Sequence, residues 1–167
     1  MNAIQNFSYS EITVCLVETY WPIGRGFIAA LLSMNMKRNI QMKSVRTGHL
    51  HADMITEGGR HLAFRAAPML EYYELPGLHC LGASNGKDKT FYIYLPQGIE
   101  SGGFPLGLCE RSPMIIHVTG DSETELYRGS LDLMVGGDAQ FAGSFRGLDA
   151  EGIEVENGSF RLEHASG

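Results

Sequence analysis

From about residue 44 to the end of the chain, apolar and polar residues alternate with a period of two rather than 3.6. Ser130-Leu131-Asp132-Leu133-Met134-Val135 places Leu131, Leu133 and Val135 on one face. That is the pattern of a strand with one buried side. Gly136-Gly137-Asp138 predicts a turn, after which Phe141, Gly143 and Phe145 continue an inward face and Arg146 points out. Asp149-Ala150-Glu151-Gly152 predicts another turn, followed by Ile153 and Val155 alternating with Glu154 and Glu156. Asn157-Gly158 reads as a hairpin, because both residues tolerate positive φ. Phe160 and Leu162 close the series.

The preceding hundred residues follow the same rule. Thr47 to Met54 and His61 to Ala66 flank Glu57-Gly58-Gly59 as a hairpin. Leu75-Pro76-Gly77 turns into Leu78 to Ala83, and the polar run Ser84 to Lys89 leads to Thr90 to Leu95. Pro96 to Gly103 reads as a loop, with further strands at Phe104 to Cys109 and Met114 to Thr119. About eight or nine short strands at intervals of roughly 8–15 residues predict an all-β fold, an antiparallel sandwich or flattened barrel.

Within this pattern Gly143-Ser144-Phe145-Arg146 recurs as Gly158-Ser159-Phe160-Arg161, with a fainter copy at Gly129-Ser130-Leu131. The repeat reads as scaffolding. Each glycine sits where a side chain would crowd the next strand, and the Phe or Leu two residues later enters the core. Gly143, Phe145, Asn157, Gly158 and Phe160 are accordingly assigned structural roles.

Residues 1–41 form a separate region, an N-terminal arm with one strand and one short helix, ahead of a β domain over 42–167. The stretch Ile12 to Arg38 is the most apolar of the chain, but Glu18, Pro22 and Arg25 break it, so it does not read as a membrane span. It lacks a basic leader and a clear cleavage site, which sets the default expectation of a cytoplasmic protein. Gly24-Arg25-Gly26-Phe27-Ile28-Ala29 fits a dinucleotide-binding glycine triplet. No second strand–helix unit or acidic partner follows it, so it reads as a decoy.

Charge narrows the function classes. The net charge is −6, split between +3 over residues 1–46 and −9 over the rest. That balance excludes a general nucleic-acid binder, which needs clustered Lys and Arg. Cys15, Cys80 and Cys109 are an odd number without ligand spacing, so neither a disulfide scaffold nor a zinc module is expected. A pairing of Cys80 with Cys109 stays open.

The quoted segments FRAAP, LHCLGAS, TFYIYLP, GGFPLG, ELYRGSLDL and FAGSFRGLDAEGIEVENGSFRL together resemble a family of small bacterial β-domains of unknown function, often envelope lipoproteins. The likeness spans roughly residues 62–163 and centres on the C-terminal GxF…NGxF pattern at Gly143, Phe145, Val155, Asn157, Gly158 and Phe160. It implies an all-β fold and an envelope association, and it brings no catalytic residues.

Candidate chemistry is sparse. His49 and His51 share one strand face and His61 sits across the hairpin, so a three-imidazole metal site is geometrically conceivable, although two solvent-facing histidines are the simpler reading. No nucleophile elbow or facing carboxylate pair emerges. Tyr92 and Tyr94 lie opposite Phe91, Ile93 and Leu95, and with Tyr72 and Tyr73 they suggest an aromatic platform. Two readings of it remain open: an exposed surface for a sugar or protein, or rings covered by residues 12–34. The expected function is a non-enzymatic binding or structural module without a cofactor, with self-association into a homodimer as one form of it. The alternatives are a ligand-binding β-barrel with a lumen and an acidic, immunity-type inhibitor of a basic partner.

Overall fold

The computed structural model describes residues 43–107 and 112–165, which lie in one compact unit. The expected arm over 1–41, Cys15 and Cys109 lie outside the described residues. Ten strands follow in order: β1 (Ser44–Ile55), β2 (His61–Ala66), β3 (Met69–Leu75), β4 (Leu78–Ser84), β5 (Lys89–Pro96), β6 (Gly102–Leu106), β7 (Met114–Thr119), β8 (Ser122–Val135), β9 (Phe141–Asp149) and β10 (Glu154–Leu162). There is no helix among the described residues.

Eight strands close a barrel in the order β1-β3-β4-β5-β7-β8-β9-β10, with β10 returning to β1 and every pairing antiparallel. The remaining two, β2 and β6, add to β1 and β8. Length explains how. The 12 residues of β1 and 14 of β8 make them the longest strands. Residues 44–47 of β1 pair with β3, whereas 50–55 pair with β2. Residues 122–125 of β8 pair with β7, whereas 129–133 pair with β6. Both strands therefore pass from one sheet to the other and form the corners of a flattened barrel.

All ten strands contribute to the interior, where Leu50, Phe64, Phe91, Ile93, Leu126, Leu131, Phe145, Val155 and Phe160 are among the buried side chains. The Phe64 and Phe91 rings meet edge to face at 4.8 Å, and Phe91 continues to Phe145 at 6.0 Å and Phe145 to Phe160 at 6.4 Å. This line of rings runs through the middle of the fold and joins the two sheets.

The repeat is the seam of that interior. The β9–β10 register sets Gly143 opposite Phe160 and Gly158 opposite Phe145. Each phenylalanine therefore lies against the glycine of the other copy. A Cβ on Gly143 would stand 2.9 Å from Phe160 Cε1, and one on Gly158 would stand 2.6 Å from Phe145 Cδ2. The glycines are needed because these rings occupy the space. Ser144 and Ser159, paired with each other, face outward.

Asn157-Gly158 corrects one expectation. It is not a hairpin but lies inside β10, where the register slips between Val155 and Gly158. Asn157 takes φ 50°, so its tolerance of positive φ serves a β-bulge rather than a reversal. The segment 69–75 is a strand that alternation did not announce, because Leu70-Glu71-Tyr72-Tyr73-Glu74-Leu75 lacks a clean period.

Candidate functional site

The two sheets present unlike outer surfaces. On the β1–β10–β9–β8 side, Asp53, Arg65, Asn157, Ser159, Ser144 and Arg146 point outward. Asp53 binds Arg65 Nη2 at 3.1 Å and Asn157 Nδ2 at 3.2 Å. The Asn157 and Arg65 hydrogen bonds hold its carboxyl below the usual range.

The outer face of the β3–β4–β5–β7 sheet is apolar. Register places Tyr73, Cys80, Tyr94 and Met114 in one cross-strand row, and Glu71, Gly82, Tyr92, Ile116 and Glu125 in the next. The sequences Phe91-Tyr92-Ile93-Tyr94-Leu95 and Met114-Ile115-Ile116-His117-Val118 are apolar on both faces, the pattern of strands covered on two sides. Tyr73, Cys80, Tyr94 and Ile116 are all buried.

Tyr73 and Tyr94 flank Cys80 on either side. Burial pushes the Tyr73 hydroxyl and the Cys80 thiol up to about 12 each, and raises Tyr94 further. A thiol so raised is protonated at neutral pH and behaves as a small apolar group.

Of the four expected platform tyrosines, Tyr73, Tyr92 and Tyr94 do share this face, whereas Tyr72 does not. Adjacent residues of a strand point to opposite sides, and Tyr72 turns into the barrel as part of the core. There its hydroxyl donates to Glu74 Oε1 at 2.6 Å, lies 2.9 Å from His79 Nδ1 and accepts from Gln140 Nε2 at 3.4 Å. Arg46 lies over its ring at 4.8 Å. Burial, then the Glu74 carboxylate, pushes the Tyr72 hydroxyl up to about 12. Tyr72, Glu74, His79 and Gln140 thus form one hydrogen-bonded group beside the β3–β4 and β8–β9 turns, while the buried Arg46 Nε has no hydrogen-bond partner. Tyr72 therefore leaves the expected group of four, and of the three outward tyrosines Tyr73 and Tyr94 are buried.

The histidines are likewise separated. His49 and His51 stack on one face of β1 with centroids 6.2 Å apart. Across the hairpin, however, His51 faces Arg65, and His61 faces Ile55 four positions further along. The guanidinium takes the place in which a third imidazole was expected. Burial and then Arg65 lower the His51 pKa. Among the described residues no three His, Cys, Asp or Glu side chains are grouped to hold a metal ion.

One buried pair was not foreseen. His117 and Asp149 both lie inside the barrel, and His117 Nε2 hydrogen-bonds Asp149 Oδ2. Asp149 Oδ1 also accepts the amides of Glu151 at 2.7 Å and Ile153 at 2.9 Å, which ties the β9–β10 turn. The only sequence signal was parity, since His117 shares the inward face of β7 with Ile115.

Glu125 supplies a pH test of the outer face. Burial raises its carboxyl above the ordinary glutamate value. A raised folded-state value means that the folded protein holds this proton longer than the unfolded chain does. The group therefore costs no stability below the unfolded pKa, and its penalty grows as pH rises through the folded one. Glu125→Gln is expected to raise the Tm at about pH 7 and to leave it unchanged near pH 4, read by thermal denaturation at both values. An equal effect at both would place Glu125 in water.

No family model, curated protein or solved structure matches this chain. No helix among the described residues is long and apolar enough to cross a membrane.

Proposed function

We propose that the domain is a non-enzymatic binding or structural module, and that the half-buried part of the outer β3–β4–β5–β7 face, Tyr92 and Met114 beside the buried Tyr73, Cys80, Tyr94 and Ile116, meets an apolar polypeptide. The observation that carries the reading is the contrast between the two outer surfaces, one built of Asp53, Arg65, Asn157 and serines, the other of Tyr73, Cys80, Tyr94, Met114 and Ile116. An apolar sheet face of this kind is stabilised by contact with another apolar surface. A sugar would need an open stacking ring, whereas Tyr73 and Tyr94 are buried.

Charge adds direction. Glu123 and Glu125 border the face, Glu71 is paired to Lys43 at 2.7 Å, and the chain carries −6 overall, which favours a counterpart with basic residues beside its apolar ones. The alternative of a lumen-binding barrel is less well supported. An eight-stranded barrel either fills its centre with side chains or holds one small ligand, and the Phe64-Phe91-Phe145-Phe160 line follows the first course.

The test compares the full chain with Tyr92→Glu, each immobilised and exposed to extract of the native host at low and high salt. A protein retained by the wild type, lost from the variant and weakened by salt is the expected result. A concentration-dependent dimer that the variant abolishes also supports the face, with a second copy as the counterpart. The same partner and oligomeric state in both proteins would move the contact elsewhere.

A further inference from the structure

We infer that the barrel interior beneath the β7–β8 turn is a solvent site, in which one or two long-lived water molecules bridge His117 to Thr119 and Thr124. Three buried side-chain atoms gather there without a protein hydrogen-bond partner: His117 Nδ1, Thr119 Oγ1 and Thr124 Oγ1. They are neighbours by register. Thr124 of β8 stands directly across from His117 of β7, and Thr119 lies two residues beyond on the same face. Directly opposed residues of an antiparallel pair have Cβ atoms about 5 Å apart, and i, i+2 positions are separated by about 7 Å. The patch is therefore the size of one or two water molecules.

Donor and acceptor counts agree. Asp149 Oδ1 is taken by two amides, and Oδ2 accepts from His117 Nε2. With that proton on Nε2, the Nδ1 of a neutral imidazole is an acceptor. Each threonine hydroxyl can give one hydrogen bond and accept others. A water that donates to Nδ1 and to one hydroxyl, and accepts from the other, satisfies all three, and three bonds are usual for a buried water. Phe91 lies against His117 at 5.8 Å and supplies an apolar wall.

The order carboxylate, imidazole, hydroxyl is also that of hydrolytic triads. Here Nδ1 hydrogen-bonds to neither threonine, and His117 is shielded from solvent, so the arrangement holds a bound molecule rather than presenting a nucleophile. Two hydroxyls and one ring nitrogen are also a poor ligand set for a divalent ion. The site is separate from the outer sheet face, and its test does not depend on any partner.

The experiment is nuclear magnetic resonance on the full chain. Water–protein cross-relaxation is expected from a slowly exchanging water to the Thr124 methyl and the His117 ring proton beside Nδ1. Thr124→Val, which keeps shape and removes the hydroxyl, is expected to abolish these signals and to shift the His117 Nδ1 resonance. Oxygen-17 relaxation dispersion on the unmodified chain is expected to count at least one long-lived water, a readout that stands even if the variant does not fold. Absence of dispersion, or a direct Nδ1–hydroxyl hydrogen bond in the wild type, overturns the inference.

Discussion

Gly129→Ala is expected to destabilise the domain by about 3 kcal/mol, near the upper end of what overpacking costs. A Cβ at this position would stand 2.0 Å from Arg146 O and 2.6 Å from Gly147 Cα. Both are backbone atoms of the paired strand, so no side-chain rotation relieves the contact. Gly129 and Gly147 face each other in the β8–β9 ladder, just past the irregularity between Leu126 and Arg128. This is the point at which β8 leaves β7 and gains β6, so relaxation would have to open the barrel corner. Two controls bracket the effect. A Cβ on Gly147 meets Arg128 O and Leu126 Cβ at 3.2 Å, and one on Gly103 meets only the movable Asp132 carboxylate at 3.2 Å. The expected order of loss in urea denaturation is Gly129→Ala, then Gly147→Ala, then Gly103→Ala. A Gly129→Ala variant as stable as Gly103→Ala would mean that β8 and β9 do not approach so closely.

Phe160→Ala is expected to cost about 3–5 kcal/mol, the range for removing a fully buried ring, and Phe145→Ala a similar amount. Phe160 is 1% exposed and Phe145 3%. Each truncation also uncovers the glycine opposite, which has no side chain with which to fill the gap. Because the two rings touch at 6.4 Å, the losses should not add. A double-mutant cycle with Phe145→Leu and Phe160→Leu is expected to give a coupling of about 1 kcal/mol.

Much of this architecture is legible in the sequence. The alternation in Leu131, Leu133 and Val135 and in Phe141, Gly143 and Phe145 is the barrel interior, because one side of β8 and β9 faces solvent. The turns at 57–59, 75–77, 84–89, 136–138 and 149–152 also fall where glycine, proline and polar clusters put them. What failed to show has physical causes. The Asn-Gly pair signals positive φ, which a bulge uses as well as a hairpin does. The strand 69–75 has no alternation because Tyr72 is buried inward and Tyr73 outward. The unbroken apolar runs in β5 and β7 did carry the outer face in plain view, but as a face covered on both sides rather than an open platform. The His117–Asp149 pair joins residues 32 apart through barrel closure, and no local pattern encodes it.

Proton chemical shifts and nuclear Overhauser effects at Gly143 and Gly158 measure the glycine–phenylalanine seam directly. If each ring covers the glycine of the other copy, the Gly143 α-protons are shifted upfield and show cross-peaks to the Phe160 ring, and those of Gly158 do the same with Phe145. Unshifted glycine α-protons, with cross-peaks only to their sequence neighbours, would contradict the seam and the register that closes the barrel around it.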